Sequence, residues 1–212
     1  GTLTLGGVIG GAFGITKAGV STLVLSGTNT FAGLIVLNAG TLQVGADGNL
    51  GDVSNDVTFN NTATLKLSSA FDPARGRTFT FSASSTGTLD IASGTVNING
   101  SGRLSGSGTL VKAGAGEVSL IQDYSATFTG PSTLNAGRVR LSNNRGLVNG
   151  TITINGGTLA QDSSTAVANP VTLNGGTLAC MGGNRTFSSN INVTSASMSS
   201  LADAFFPTMP EY

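Results

Sequence analysis

Ile15-Thr16-Lys17-Ala18-Gly19-Val20-Ser21-Thr22-Leu23-Val24-Leu25-Ser26-Gly27-Thr28-Asn29-Thr30-Phe31-Ala32-Gly33-Leu34-Ile35-Val36-Leu37-Asn38-Ala39-Gly40-Thr41-Leu42-Gln43-Val44-Gly45 is a series of short alternating apolar runs parted by corners that bear Gly and Asn. Much of it recurs downstream. Lys112-Ala113-Gly114 repeats Lys17-Ala18-Gly19 at an offset of 112 − 17 = 95. Phe128-Thr129-Gly130 and Leu134-Asn135-Ala136-Gly137 repeat Phe31-Ala32-Gly33 and Leu37-Asn38-Ala39-Gly40 at 128 − 31 = 97. The two extra residues fall around Ile121 to Ala126. A spaced match with a small insertion points to duplication, and to a fold that accepts a length change at a corner.

The corner itself recurs more often than the long repeat. Ile154-Asn155-Gly156-Gly157-Thr158-Leu159 and Leu173-Asn174-Gly175-Gly176-Thr177-Leu178 are further copies. Where neighbours are clear the spacing is about 19 to 24 residues, the range of stacked β-repeats. Between corners the period is two: Leu3/Leu5, Leu23/Leu25, Leu65/Leu67, Phe79/Phe81, Leu89/Ile91, Val96/Ile98, Ile152/Ile154 and Ile191/Val193 alternate with small or polar residues. That is the pattern of strands with one buried face. Before the C-terminal tail no window longer than about ten residues shows a helical period. One coil of ~20 residues cannot bury its apolar face alone, so successive coils must stack into a continuous narrow core. Gly supplies corners with positive φ, and Asn155 and Asn174 are placed to bond amide to amide from coil to coil, as in stacked cross-β arrays. The expected fold is all-β, a parallel β-solenoid of about nine or ten coils over residues 1–194.

Composition narrows the function. The chain has 212 residues, 32 of them Gly, with no Trp, no His and one Cys. Ten basic residues balance ten acidic ones, so nothing draws the chain to nucleic acid. No apolar run approaches the ~20 residues of a membrane-spanning helix. Cys180 has no partner for an intrachain disulfide and reads as a small packed residue. Without His the usual general base and metal ligand is missing. Asp47, Asp52 and Asp56 are close in sequence, but read as corner residues making Asx-turns rather than a carboxylate cleft or a calcium loop. No catalytic, cofactor or metal residues are assigned.

Several features lie outside the repeat. Lys17 and Lys112 share a repeat position; a shared role in binding is one reading, and solvated corner residues shielding a strand the favoured one. Phe71 to Arg77, with Pro73, reads as a loop protruding from the rod. Thr-x-Thr pairs such as Thr62/Thr64 and Thr151/Thr153 would suit ice binding if they formed regular outward ranks, but they are irregularly spaced and read as the β-propensity of an exposed face. In Leu34-Ile35-Val36-Leu37, inward Ile35 and Leu37 leave Leu34 and Val36 outside, and the second copy has Pro131-Ser132-Thr133 there. An outward apolar pair is not a demand of the repeat, so Leu34 and Val36 are candidate contacts with another protein. Residues 195–212 lack Gly and hold Phe205 and Phe206, which join that candidate set. This segment reads as a cap, a linker or an assembly contact, with Ala202-Asp203-Ala204 as a possible helical turn.

With these residues in view, the opening stretch resembles the passenger-associated, or autotransporter-associated, β-strand repeat. Lys17, Gly19, Leu23, Leu25, Gly27, Asn29, Phe31, Gly33, Gly40 and Leu42 fall in register with that pattern. The second copy keeps Lys112, Gly114, Gly116, Leu120, Phe128, Gly130, Gly137 and Val139. The resemblance implies a right-handed parallel β-helix in a secreted bacterial cell-surface protein, with the repeats as scaffold. The expected role is a rigid spacer or adhesive surface rather than an enzyme. A self-assembling filament or surface-layer subunit is the alternative, and a polysaccharide-binding or polysaccharide-cleaving β-helix a weaker one. Expected partners are other copies of the chain, other cell-surface proteins, a host surface or polysaccharide.

Overall fold

The computed structural model describes residues 1–69, 76–100, 102–142, 147, 150–194 and 200–204, the last five through their backbone alone. Every strand pair in it is parallel, as stacked coils require. The strands form three ladders. The long face has ten: Thr2–Leu5, Thr22–Leu25, Gly40–Val44, Thr62–Leu67, Thr86–Ile91, Thr109–Ala113, Ser132–Leu134, Ile152–Ile154, Val171–Leu173 and Ile191–Val193. An N-terminal face has five, Ile15–Lys17, Ile35–Leu37, Val57–Phe59, Phe79–Phe81 and Leu104–Gly106. A C-terminal face has six, Thr95–Ile98, Glu117–Leu120, Arg138–Leu141, Thr158–Gln161, Thr177–Met181 and Ser200–Ala204. Helical structure among the described residues is a single 3-10 turn, Asp47–Leu50.

Alternation decides what is inside. Leu42, Leu65 and Leu89 stack in register along the long face, and each is buried. On the N-terminal face Leu37, Phe59 and Phe81 form the next rank. The Phe59 and Phe81 rings stack at 4.7 Å, and Phe128 meets Phe81 edge-on at 5.6 Å. Each fully buried Leu or Phe contributes roughly 1.5–3 kcal/mol relative to exposure. Coil length varies while register does not, because the loops between faces absorb the difference.

The two long repeats do not lie above one another. In the first, the corner Asn38-Ala39-Gly40 joins the N-terminal face to the long face. In the second, Asn135-Ala136-Gly137 joins the long face to the C-terminal face. The change happens over Thr86 to Ala113, where one coil lays strands on all three faces. Lys112 therefore pairs in register with Leu89 and Leu134, whereas Lys17 pairs with Leu37. The copies share local geometry but sit one edge apart around the rod axis. Both corners need glycine. Gly40 and Gly137 have φ of 68° and 71°, and a Cβ on Gly40 would stand 2.5 Å from the carbonyl oxygen of Gly19.

The expected amide ladder is present and longer than the two residues named for it. Asn155 Nδ2 donates to Asn135 Oδ1 at 2.9 Å, Asn174 Nδ2 donates to Asn155 Oδ1 at 3.2 Å, and Thr194 Oγ1 continues it to Asn174 Oδ1. A second ladder, Asn60 to Asn38, occupies the first repeat's corner. Two expectations fail. Arg77 is not on a protruding loop: its side chain is fully buried and points into the rod. Phe71 to Arg75 lie outside the described residues. Ala202-Asp203-Ala204 is not a helical turn: it belongs to the strand Ser200–Ala204, which pairs with Thr177–Met181 and so extends a face.

Candidate functional site

The repeat lysines are the first surprise. Neither is solvated. Lys17 and Lys112 are 5% and 2% exposed, and each occupies a position that apolar side chains fill in neighbouring coils. What makes this tolerable is the corner. Lys17 Nζ donates to the carbonyls of Ala18 (3.1 Å), Gly19 (2.7 Å) and, one coil on, Ala39 (2.9 Å). Lys112 Nζ repeats this with Ala113 (2.5 Å), Gly114 (2.9 Å) and Ala136 (3.4 Å). An ammonium has three protons, and all three are used. The stem adds to the core while the head closes a corner and ties two coils together. Burial pushes the Lys112 amine down to about 8, opposed by the Asp90 carboxylate.

The second internal cation is Arg77. Its guanidinium donates to the carbonyls of Asp47, Leu50, Gly51, Asp52 and Asn55, and pairs with the Asp47 carboxylate at 2.8 Å. It thus fixes the loop around the 3-10 turn from the coil above. Buried asparagines finish the loop. Asn49 Oδ1 accepts from the Gly45 and Ala46 amides, and its Nδ2 donates to Gly27 O. Asn55 Nδ2 donates to Phe31 O and Leu50 O, and its Oδ1 accepts from Gly33 N.

The acidic segment is consumed by this construction. Asp47 holds Arg77. Asp52 accepts from the Ser54 hydroxyl and amide, which holds its carboxyl below the usual range, in the Asx-turn read from sequence. Asp56 accepts from the Thr78 amide. Among the described residues no three metal-ligating side chains converge. Tyr124 is buried with its hydroxyl on Ile98 O at 2.5 Å, and burial pushes it up to about 12. These titratable groups are used for structure.

Outside, Leu34 is 49% exposed and precedes the strand Ile35–Leu37. Val36 is half-buried and sits in an outward column, Thr16, Val36, Thr58, Thr80. The sequence reading missed two other apolar residues, Phe13 and Val53, exposed on the coils to either side of Leu34. Phe205 and Phe206 lie outside the described residues.

The largest feature that sequence reading dismissed is on the long face. Thr2, Thr22, Thr41, Thr64, Thr88, Val111, Thr133, Thr153, Thr172 and Asn192 pair in register along its outward side. The threonines that look irregular along the chain are regular along the rod. Aligning coils by their corners, rather than measuring spacing, brings out this column.

A parallel solenoid with lysine-closed corners defines the class, and comparison with known proteins agrees. The passenger-associated-transport-repeat family matches residues 15–44 and 110–141, the two stretches holding Lys17 and Lys112. Those two stretches match that family's repeat. The Adhesin BmaC autotransporter of Brucella suis biovar 1 (strain 1330) is 31% identical over 137 residues, which is 65% of this chain. The chain spans 4% of that relative's length. No solved structure matches.

Proposed function

We propose that the chain is a rigid, non-enzymatic segment of a bacterial cell-surface passenger, a spacer that also offers an adhesive surface. The observation that carries this reading is the fate of its charges. Lys17, Lys112, Arg77 and Asp47 are spent on joining coils, and the long face runs unbroken through ten strands. A scaffold needs such cross-coil ties, whereas a catalytic surface needs titratable groups left free in a cleft. The adhesin relative and the family support secretion to the cell surface.

Coil excision tests the reading. Residues 152–170 form one coil, since Ile152 pairs in register with Val171. Removing them from the displayed passenger should preserve export and the presentation of a tag placed beyond the rod. The rod should shorten by ~4.8 Å. A variant that still folds and exports but no longer presents the tag would defeat the spacer role.

A further inference from the structure

The threonine column of the long face is more regular than a spacer requires. Threonine fills eight of its ten positions in register. Beside its C-terminal half runs the Asn135, Asn155, Asn174 ladder. The strands Ser132–Leu134, Ile152–Ile154, Val171–Leu173 and Ile191–Val193 carry no charged residue. We infer that this face docks against the same face of a second copy, forming a side-by-side, two-fold pair of rods.

Three properties select that occupant. The first is period. Parallel coils repeat every ~4.8 Å by backbone geometry, and a second β-solenoid shares that repeat at every rung. A partner of another architecture drifts out of step within a few residues. The second is hydrogen-bond type. A threonine hydroxyl both donates and accepts, so in an antiparallel pair Thr22, Thr41 and Thr64 can bond Thr172, Thr153 and Thr133 without a mismatch. The third is charge. The C-terminal face bears Arg138, Arg140 and Glu117, whereas the column and ladder bear none. Lys66 and Asp90 stand two residues beyond the column, adjacent in register and opposite in sign. In an antiparallel pair centred on the ten-strand ladder, Lys66 faces the rung of Asn135 and Asp90 that of Ala113, so no like charges meet. The contact is isologous and closes at two rods.

Size sets the strength. Nine rung intervals of ~4.8 Å and a strip about 13 Å wide give roughly 560 Å² per rod. The total of about 1,100 Å² is at the low end for specific pairs. Association is therefore weak between single chains and strong only where many rods are displayed together.

Sedimentation velocity and small-angle scattering on the purified chain, from micromolar to near-millimolar, test this. The expected result is a concentration-dependent dimer with a thicker cross-section and unchanged length. Thr153→Lys should weaken it about fivefold, and Thr133→Lys/Thr153→Lys/Thr172→Lys by more than tenfold. Thr58→Lys, outward on the N-terminal face, should leave it unchanged. Circular dichroism melts matching the parent show that each variant keeps its fold. If the triple variant misfolds, the single one decides. A chain monomeric throughout, a Thr153→Lys variant that pairs like the parent, or particles that lengthen rather than thicken would each overturn the inference.

Discussion

Arg77→Ala is the sharpest probe of how the rod is held together. The substitution removes a guanidinium that is 0% exposed. It takes the donor from the Asp47, Gly51 and Asn55 carbonyls and the Asp47 carboxylate, while Leu50 O and Asp52 O keep Asn55 as a donor. Losing one partner of a buried ion pair costs about 3–5 kcal/mol. The carboxylate is partly solvated and the loop can open to water, so the lower half of that range is expected. The loss should also be local. Amides held by Asn49 and Asn55, those of Gly45, Ala46 and Gly33, depend on the loop that Arg77 fixes. Native-state hydrogen exchange should show their opening free energy falling by about 3 kcal/mol. Amides of Ile152–Ile154, several coils away, should barely change, as nearest-neighbour coupling predicts. A drop below about 1 kcal/mol at Gly33 and Gly45 would refute the latch, because the carbonyls would then be satisfied without it.

Other outcomes follow from the same contacts. Lys112 has a folded value of about 8 against an ordinary 10.5, so the unfolded chain holds the extra proton between those values. Stability should therefore rise with pH across that window, by on the order of 3 kcal/mol, and the rise should vanish in Lys112→Met. Ser132→Val should stabilise the chain by about 1 kcal/mol in urea unfolding. It replaces a buried hydroxyl that has no partner among the described residues and fills a small cavity among Leu110, Leu134 and Ile152. Asn49→Ala should cost about 2–4 kcal/mol, whereas Asn155→Ala on the exposed ladder should cost less than ~1 kcal/mol, measured by the same unfolding. Leu34→Ser with Val36→Thr should shift the melting free energy by under ~0.5 kcal/mol, since Leu34 is exposed and Val36 lies in an outward column flanked by Thr16 and Thr58.

How much of this was legible varies with the physics involved. The inward ranks were, because a Leu that alternates with Thr has one place to go once coils stack. Leu42, Leu65 and Leu89 follow from period two alone. The Asn155 to Asn174 bond followed from equal corners 19 residues apart. The lysines misled because charge argues for solvent, while a glycine corner turns several carbonyls inward that need a donor. Only the corner's geometry reverses that balance. Arg77 was hidden because its partner Asp47 lies 30 residues away, across more than one coil. The one-edge offset between the repeats was hidden because the same corner motif fits any edge of a three-faced coil. The threonine column was hidden because coils of unequal length keep register by adjusting their loops.

That register fixes the length and rigidity of the rod, and one distance measures it. Thr41 and Thr172 face outward on the long face six rungs apart, through Thr64, Thr88, Val111, Thr133 and Thr153. With Cys180→Ser to remove the native thiol, spin labels at Thr41→Cys and Thr172→Cys can be read by double electron–electron resonance. A rigid rod in this register predicts a single narrow distribution centred near ~29 Å, six intervals of ~4.8 Å. A broad distribution, or a narrow one displaced by two or more rungs, would contradict it.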